Sequence, residues 1–135
     1  MGFGIGAAGP KGDAGAAGAA GAGFAAAATV STIDTDSGNM AVATITAFHQ
    51  GWVHVVGGSE SGGATYHIPV TAVRNGGSID IVAGTPLTAT IGTDGAAILA
   101  AAVVTLTDAG SGVLHVHVVG ADTFNLDWRA VAALA

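Results

Sequence analysis

Five histidines stand in a 135-residue chain without cysteine, and two of them, His115 and His117, are spaced for chemistry. In Leu114-His115-Val116-His117-Val118 the imidazoles lie at i and i+2. On a strand both rings point to one face, while Leu114, Val116 and Val118 point to the other. Imidazole is a ligand for Fe, Ni, Zn and Cu, and three chains meeting on an axis would bring six such rings together. The plainer alternative is the polar face of a half-buried strand. Trp52 and His54 repeat the same spacing. Trp52, Tyr66 and Trp128 would stack on a sugar if exposed and fill a core if buried, and Trp52 and Tyr66 are the candidate ligand contacts.

Patterns of nucleophilic, phosphate-binding and zinc-hydrolytic enzymes are absent. The sequence has no Gly-x-Ser-x-Gly elbow, no His-Glu-x-x-His and no phosphate loop. Asp34, Asp36 and Asp80 could be imagined in acid/base roles, but Asp near Ser, Gly and Asn is ordinarily turn chemistry. The chain is expected to be non-enzymatic and to hold no resident cofactor, apart from Fe or another transition metal if His115 and His117 meet on a threefold axis. With a net charge of −6 and only Lys11, Arg74 and Arg129 as basic residues, nucleic acid is not an expected partner. The longest apolar run, residues 96–104, falls short of the roughly 20 residues of a helical membrane span. Gly at positions 2, 4 and 6 breaks the apolar core that a signal peptide needs.

The elements that would position these side chains begin near residue 29. From there the sequence alternates apolar and polar residues, is rich in β-branched side chains, and is punctuated by Gly, Asn, Asp and Ser. Strands are predicted over 29–34, 40–48, 52–56, 65–73, 78–82, 87–91, 98–107, 113–119 and 123–132. Asn75-Gly76-Gly77 and the run Asp108-Ala109-Gly110-Ser111-Gly112 predict hairpin turns, because Asn and Gly tolerate positive φ. Residues 57–63 predict a longer mobile loop. Ala and Leu within 96–104 favour helix, but the β-branched stretch 103–107 and the turn after it tip the segment to strand. Eight or nine short strands with short connections predict an all-β knob, a β-sandwich or jelly-roll, over residues 29–135.

The segment before the knob is of another kind. Gly6, Gly9, Gly12, Gly15, Gly18 and Gly21 keep one three-residue register, and six glycines can be placed on sixteen positions in about 8000 ways, so chance is a poor explanation. The register is collagen-like. Gly is needed at every third residue where three strands crowd a common axis, so a parallel homotrimer is implied. A flexible Gly/Ala linker is the alternative. Pro10 and the opposite charges of Lys11 and Asp13 favour the triple helix, in which Lys on one chain would meet Asp on its neighbour. Each such exposed pair is worth only about 0.2–1 kcal/mol, so the knob must hold the strands in register. The expected organisation is an N-terminal anchor at 1–5, presenting Phe3 and Ile5, a stem at 6–23, a neck at 24–28 and the knob. Charged residues are 9% of the chain and apolar residues 50%. A lone domain so composed would expose large apolar patches, and burial between subunits resolves this.

The C-terminal run AAILAAAVVTLTDAGSGVLHVHVVGADTFNLDWRAVAAL resembles the final hairpin of small β-sandwich knobs in bacteriophage fibre proteins. Over residues 79–134 the likeness is of a strand, a turn, a strand ending Val119-Gly120, and a last strand around Trp128. Gly-x-y stems joined to trimeric β knobs are likewise a phage-fibre arrangement. The resemblance implies a non-enzymatic part of the virion surface, whose N-terminus docks on a capsid or tail protein. A short leader in place of a long adaptor domain favours a head fibre or capsid decoration protein. The alternative is a receptor-binding tail-fibre tip contacting glycan or protein on the host cell surface. His115-Val116-His117 is similar to the threefold His-x-His iron sites of phage spikes and fibres.

Overall fold

The computed structural model describes residues 28–121 and 123–135. Phe3, Ile5, the glycine register, Lys11, Asp13 and most of the neck lie outside the described residues. The described chain is all-β apart from one short helix. Nine strands run in order: β1 (Ala28–Ile33), β2 (Ser37–Thr44), β3 (Phe48–Ser59), β4 (Gly62–Asn75), β5 (Ser78–Ala83), β6 (Leu87–Gly92), β7 (Val103–Asp108), β8 (Val113–Val119) and β9 (Asn125–Leu134). The helix α1 (Gly95–Ala101) lies between β6 and β7.

The strands form two antiparallel sheets. The larger runs β1-β9-β3-β4-β5, with β6 paired to the other half of β4, and the smaller runs β2-β8-β7. Alternation along each strand sends one set of side chains inward. Met40 and Val42 of β2 and Leu114, Val116 and Val118 of β8 share one core with Val53, Val55, Ile68, Val70, Leu126, Trp128 and Ala130 of the larger sheet. The core therefore lies between the two sheets, and each sheet turns its other face outward.

Local chemistry fixes the turns. The Asn75 to Ser78 connection carries Gly76 at φ 64°, as the sequence predicted. In the turn between β7 and β8, Gly110, Ser111 and Gly112 all have positive φ. Asp108 Oδ1 accepts from Gly110 N at 2.7 Å and its Oδ2 from Ile79 N at 3.0 Å, tying this turn to β5 and holding the carboxyl below its ordinary pKa. Arg74 reaches across the same end, donating from Nε to Gly76 O at 2.6 Å and from Nη1 to Ile45 O at 3.3 Å. One of three basic residues is thus spent on binding loops together.

Three expectations are corrected. Residues 57–63 are no mobile loop: β3 and β4 extend into a hairpin closed by Glu60 and Ser61, with Gly58 opposite Gly63. These glycines serve close approach rather than flexibility, since a Cβ on Gly57 would stand 2.4 Å from the Trp128 ring and one on Gly62 2.8 Å from Ile91 O. The strand predicted over 98–107 is split, with α1 burying Ile98 and only β7 extended. Here helix propensity outweighed the pull of the β-branched residues that follow. The strand predicted over 40–48 ends at Thr44, and Phe48 opens the next strand instead.

Candidate functional site

His115 and His117 lie on β8, the middle strand of the smaller sheet, and both project from its outer face while Leu114, Val116 and Val118 are buried. The predicted i, i+2 geometry therefore holds. Their neighbours on that face are Asn39 and Ala41 of β2 and Thr105 and Thr107 of β7. His117 Nδ1 donates to Asn39 Oδ1 at 2.8 Å, which holds the ring in place. Among the described residues, no three His, Cys, Asp or Glu side chains group as metal ligands within one chain.

A second imidazole pair lies on the opposite side of the molecule. The β3–β4 register sets His54 directly across from His67, and their Nδ1 atoms are 3.4 Å apart. Trp52, two residues before His54, stacks on His67 with ring centroids 4.0 Å apart and planes inclined by 27°. All three project from the outer face of the larger sheet. Sequence spacing joined Trp52 to His54 but gave no sign of His67, because the partner is chosen by the turn at Glu60 and Ser61 that sets the register.

Of the two candidate ligand contacts, Trp52 is exposed at 39% and Tyr66 is buried at 7%. Tyr66 points inward beside Trp128, its ring centroid 6.4 Å away, and cannot touch a surface ligand from there. Its hydroxyl is buried with no hydrogen-bond partner, and desolvation raises its pKa. An unsatisfied buried hydroxyl costs about 1–3 kcal/mol, so Tyr66→Phe is expected to raise stability by about 1 kcal/mol in denaturant titrations. Loss of stability in that variant would mean that the hydroxyl has a partner.

The outer faces differ in character. Among the described residues the exposed large hydrophobic side chains are Ile33, Phe48, Trp52, Val82, Leu87, Ile91 and Val103. All but Val103 project from the outer face of the larger sheet, as the pairing of Leu87 with His67, Ile91 with Gly63 and Val82 with Thr71 shows. The smaller sheet presents His, Asn and Thr instead. Above β1, β9 and β3 a concavity of about 660 Å³ is bordered by Thr29, Ser31, Val56, Asp127 and Arg129, with Ser31 Oγ donating to Asp127 Oδ1 at 2.6 Å. It contains no paired acid and base at reacting distance. No helix of the described residues is long and apolar enough to cross a membrane. Comparison with protein-family models, curated proteins and solved structures gives no match.

Proposed function

We propose that the chain is a non-enzymatic, homotrimeric fibre of a bacteriophage virion, a head fibre or capsid decoration protein. In this reading residues 1–5 dock on a capsid or tail protein through Phe3 and Ile5, residues 6–23 form a collagen-like triple helix, and residues 29–135 form a β-sandwich knob on the virion surface. One observation carries the assembly part: an all-β unit with a strongly apolar outer face follows a six-fold glycine register. Among the described residues nothing covers side chains such as Leu87 and Ile91, and exposed patches of this kind mark contact surfaces. A second copy is the occupant the sequence argues for, because a Gly-x-y stem needs three chains. The larger sheet's outer face would then turn toward the neighbouring copies. A threefold iron or other transition-metal site on His115 and His117 would need the smaller sheet to line the axis, and the distribution of apolar side chains favours the other face.

A second reading, a receptor-binding tip, is supported by Trp52. An exposed indole held flat by a stacked imidazole can receive a sugar face.

Sedimentation of the whole chain in native buffer tests the assembly. A species of three times 12.8 kDa is expected, and a monodisperse 12.8 kDa species would end this reading. Gly15→Val should weaken or shorten the stem, lowering its protease resistance and polyproline-like circular dichroism, while the knobs stay associated. An unchanged stem signal would identify the segment as a linker.

A further inference from the structure

We propose that His54 and His67 form a binding site for a divalent late transition metal, of the zinc, nickel and copper class, through their facing Nδ1 atoms. The spacing is the argument. Two imidazole nitrogens on one tetrahedral zinc, each at about 2.0–2.1 Å, stand roughly 3.3–3.4 Å apart. The Nδ1 atoms of His54 and His67 stand 3.4 Å apart. In the metal-free chain the same distance is spanned by a long Nδ1–H···Nδ1 hydrogen bond, whose proton a metal ion would displace.

The site is held before any metal arrives. His54 and His67 are cross-strand partners in the middle of a twelve-residue β3 and a fourteen-residue β4, so their Cα positions are fixed by ladder hydrogen bonds on both sides. The Trp52 ring lies against His67 and limits its rotation, while the two imidazoles meet edge to face, with planes 63° apart. With Nδ1 as the ligand atom, the proton of each neutral ring is carried on Nε2. Two nitrogens fill two of four tetrahedral positions. Among the described residues no carboxylate or third histidine completes the set within the chain, so water takes the remaining positions in a single chain, and in the proposed trimer, where Leu87 beside His67 meets a neighbouring copy, a group of that copy can take one. The pair is distinct from His115 and His117, which project from the other sheet, and its two ligands come from one chain, so it does not rest on the trimer.

The stacked indole supplies a local readout. Copper(II) quenches nearby tryptophan emission, and Trp52 touches a proposed ligand whereas Trp128 is buried in the core. The full chain is titrated with Zn²⁺ by calorimetry and with Cu²⁺ by tryptophan emission, with its mass followed by sedimentation in the same samples. Expected results are one metal per chain, loss of that binding in both His54→Gln and His67→Gln, and full retention in the His115→Ala/His117→Ala double variant. Cu²⁺ should quench the wild type strongly, and a chelator added afterwards should restore the emission. In Trp52→Phe the remaining Trp128 emission should be nearly unaffected. Both histidines project outward, and Gln keeps a polar side chain there, so far-ultraviolet circular dichroism should match the wild type. Unchanged Zn²⁺ binding in folded His54→Gln and His67→Gln, loss of binding in the His115/His117 variant instead, or no heat and no quenching in the wild type would each overturn the proposal. A monomeric mass with intact metal binding would overturn the trimer and leave this site standing.

Discussion

Trp128→Ala is expected to leave the chain without a cooperative unfolding transition at room temperature. Trp128 is fully buried on β9, and its indole covers Gly57 on one side while Nε1 donates to Thr32 Oγ1 at 3.0 Å. Truncating a buried Trp to Ala costs about 3–5 kcal/mol. The buried Thr32 hydroxyl would lose its donor as well, at about 1–3 kcal/mol. Together these approach the whole stability of an ordinary domain, about 5–15 kcal/mol. Gly57→Ala attacks the same contact from the other strand, since its new methyl group would overlap the ring. Trp128→Phe should fall between wild type and Trp128→Ala. Chemical denaturation followed by circular dichroism ranks the three, and a Trp128→Ala variant with a near-wild-type midpoint would show that the ring does not organise the core.

Leu87→Asp combined with Ile91→Asp is expected to convert the proposed trimer to folded single chains. Both side chains are among the most exposed hydrophobics of the described residues, at 67% and 74%, and both belong to β6, whose residues are exposed throughout. The substitutions therefore remove nothing from the core between the sheets. If a neighbouring copy covers them, each contributes about 1.5–3 kcal/mol per contact through burial. A carboxylate placed there would in addition be desolvated without a partner. Sedimentation across a concentration series gives the result. Trimers that persist down to the same concentration as wild type would show that subunits meet elsewhere, and a loss of the β signal would show that β6 is needed for the fold itself.

Parts of this architecture could be read directly from residue order. Residues 113–119 alternate without interruption, and β8 has those bounds. The turns at Gly76 and Gly110 followed from residues that accept positive φ. What escaped was everything set by a partner distant in sequence. Gly57, Gly58, Gly62 and Gly63 have the composition of a flexible loop, yet the missing side chains of Gly57 and Gly62 let Trp128 and the start of α1 lie close, while Gly58 and Gly63 sit against the backbone of the opposing strand. Tyr66 and Trp52 are equally aromatic in sequence, and strand parity alone sends one into the core and the other outward. The His54–His67 contact exists because one two-residue turn aligns positions thirteen apart. A one-residue slip there would have put the two imidazoles on opposite faces.

The placement of β9 bears on how such a chain can be made. It is the last strand to leave the ribosome among those described, yet it lies between β1 and β3 and pairs with both along its length. Until it arrives, β1 has no neighbour in its sheet and Trp128 is missing from the core. The strand nearest the glycine triplets thus cannot be seated during synthesis of the residues before 125. The larger sheet therefore closes only once the C-terminal residues have been made, so the first strand of the sheet to be synthesised is among the last to be seated. A chain that ends before residue 125 therefore lacks the strand that joins β1 to β3 and carries Trp128.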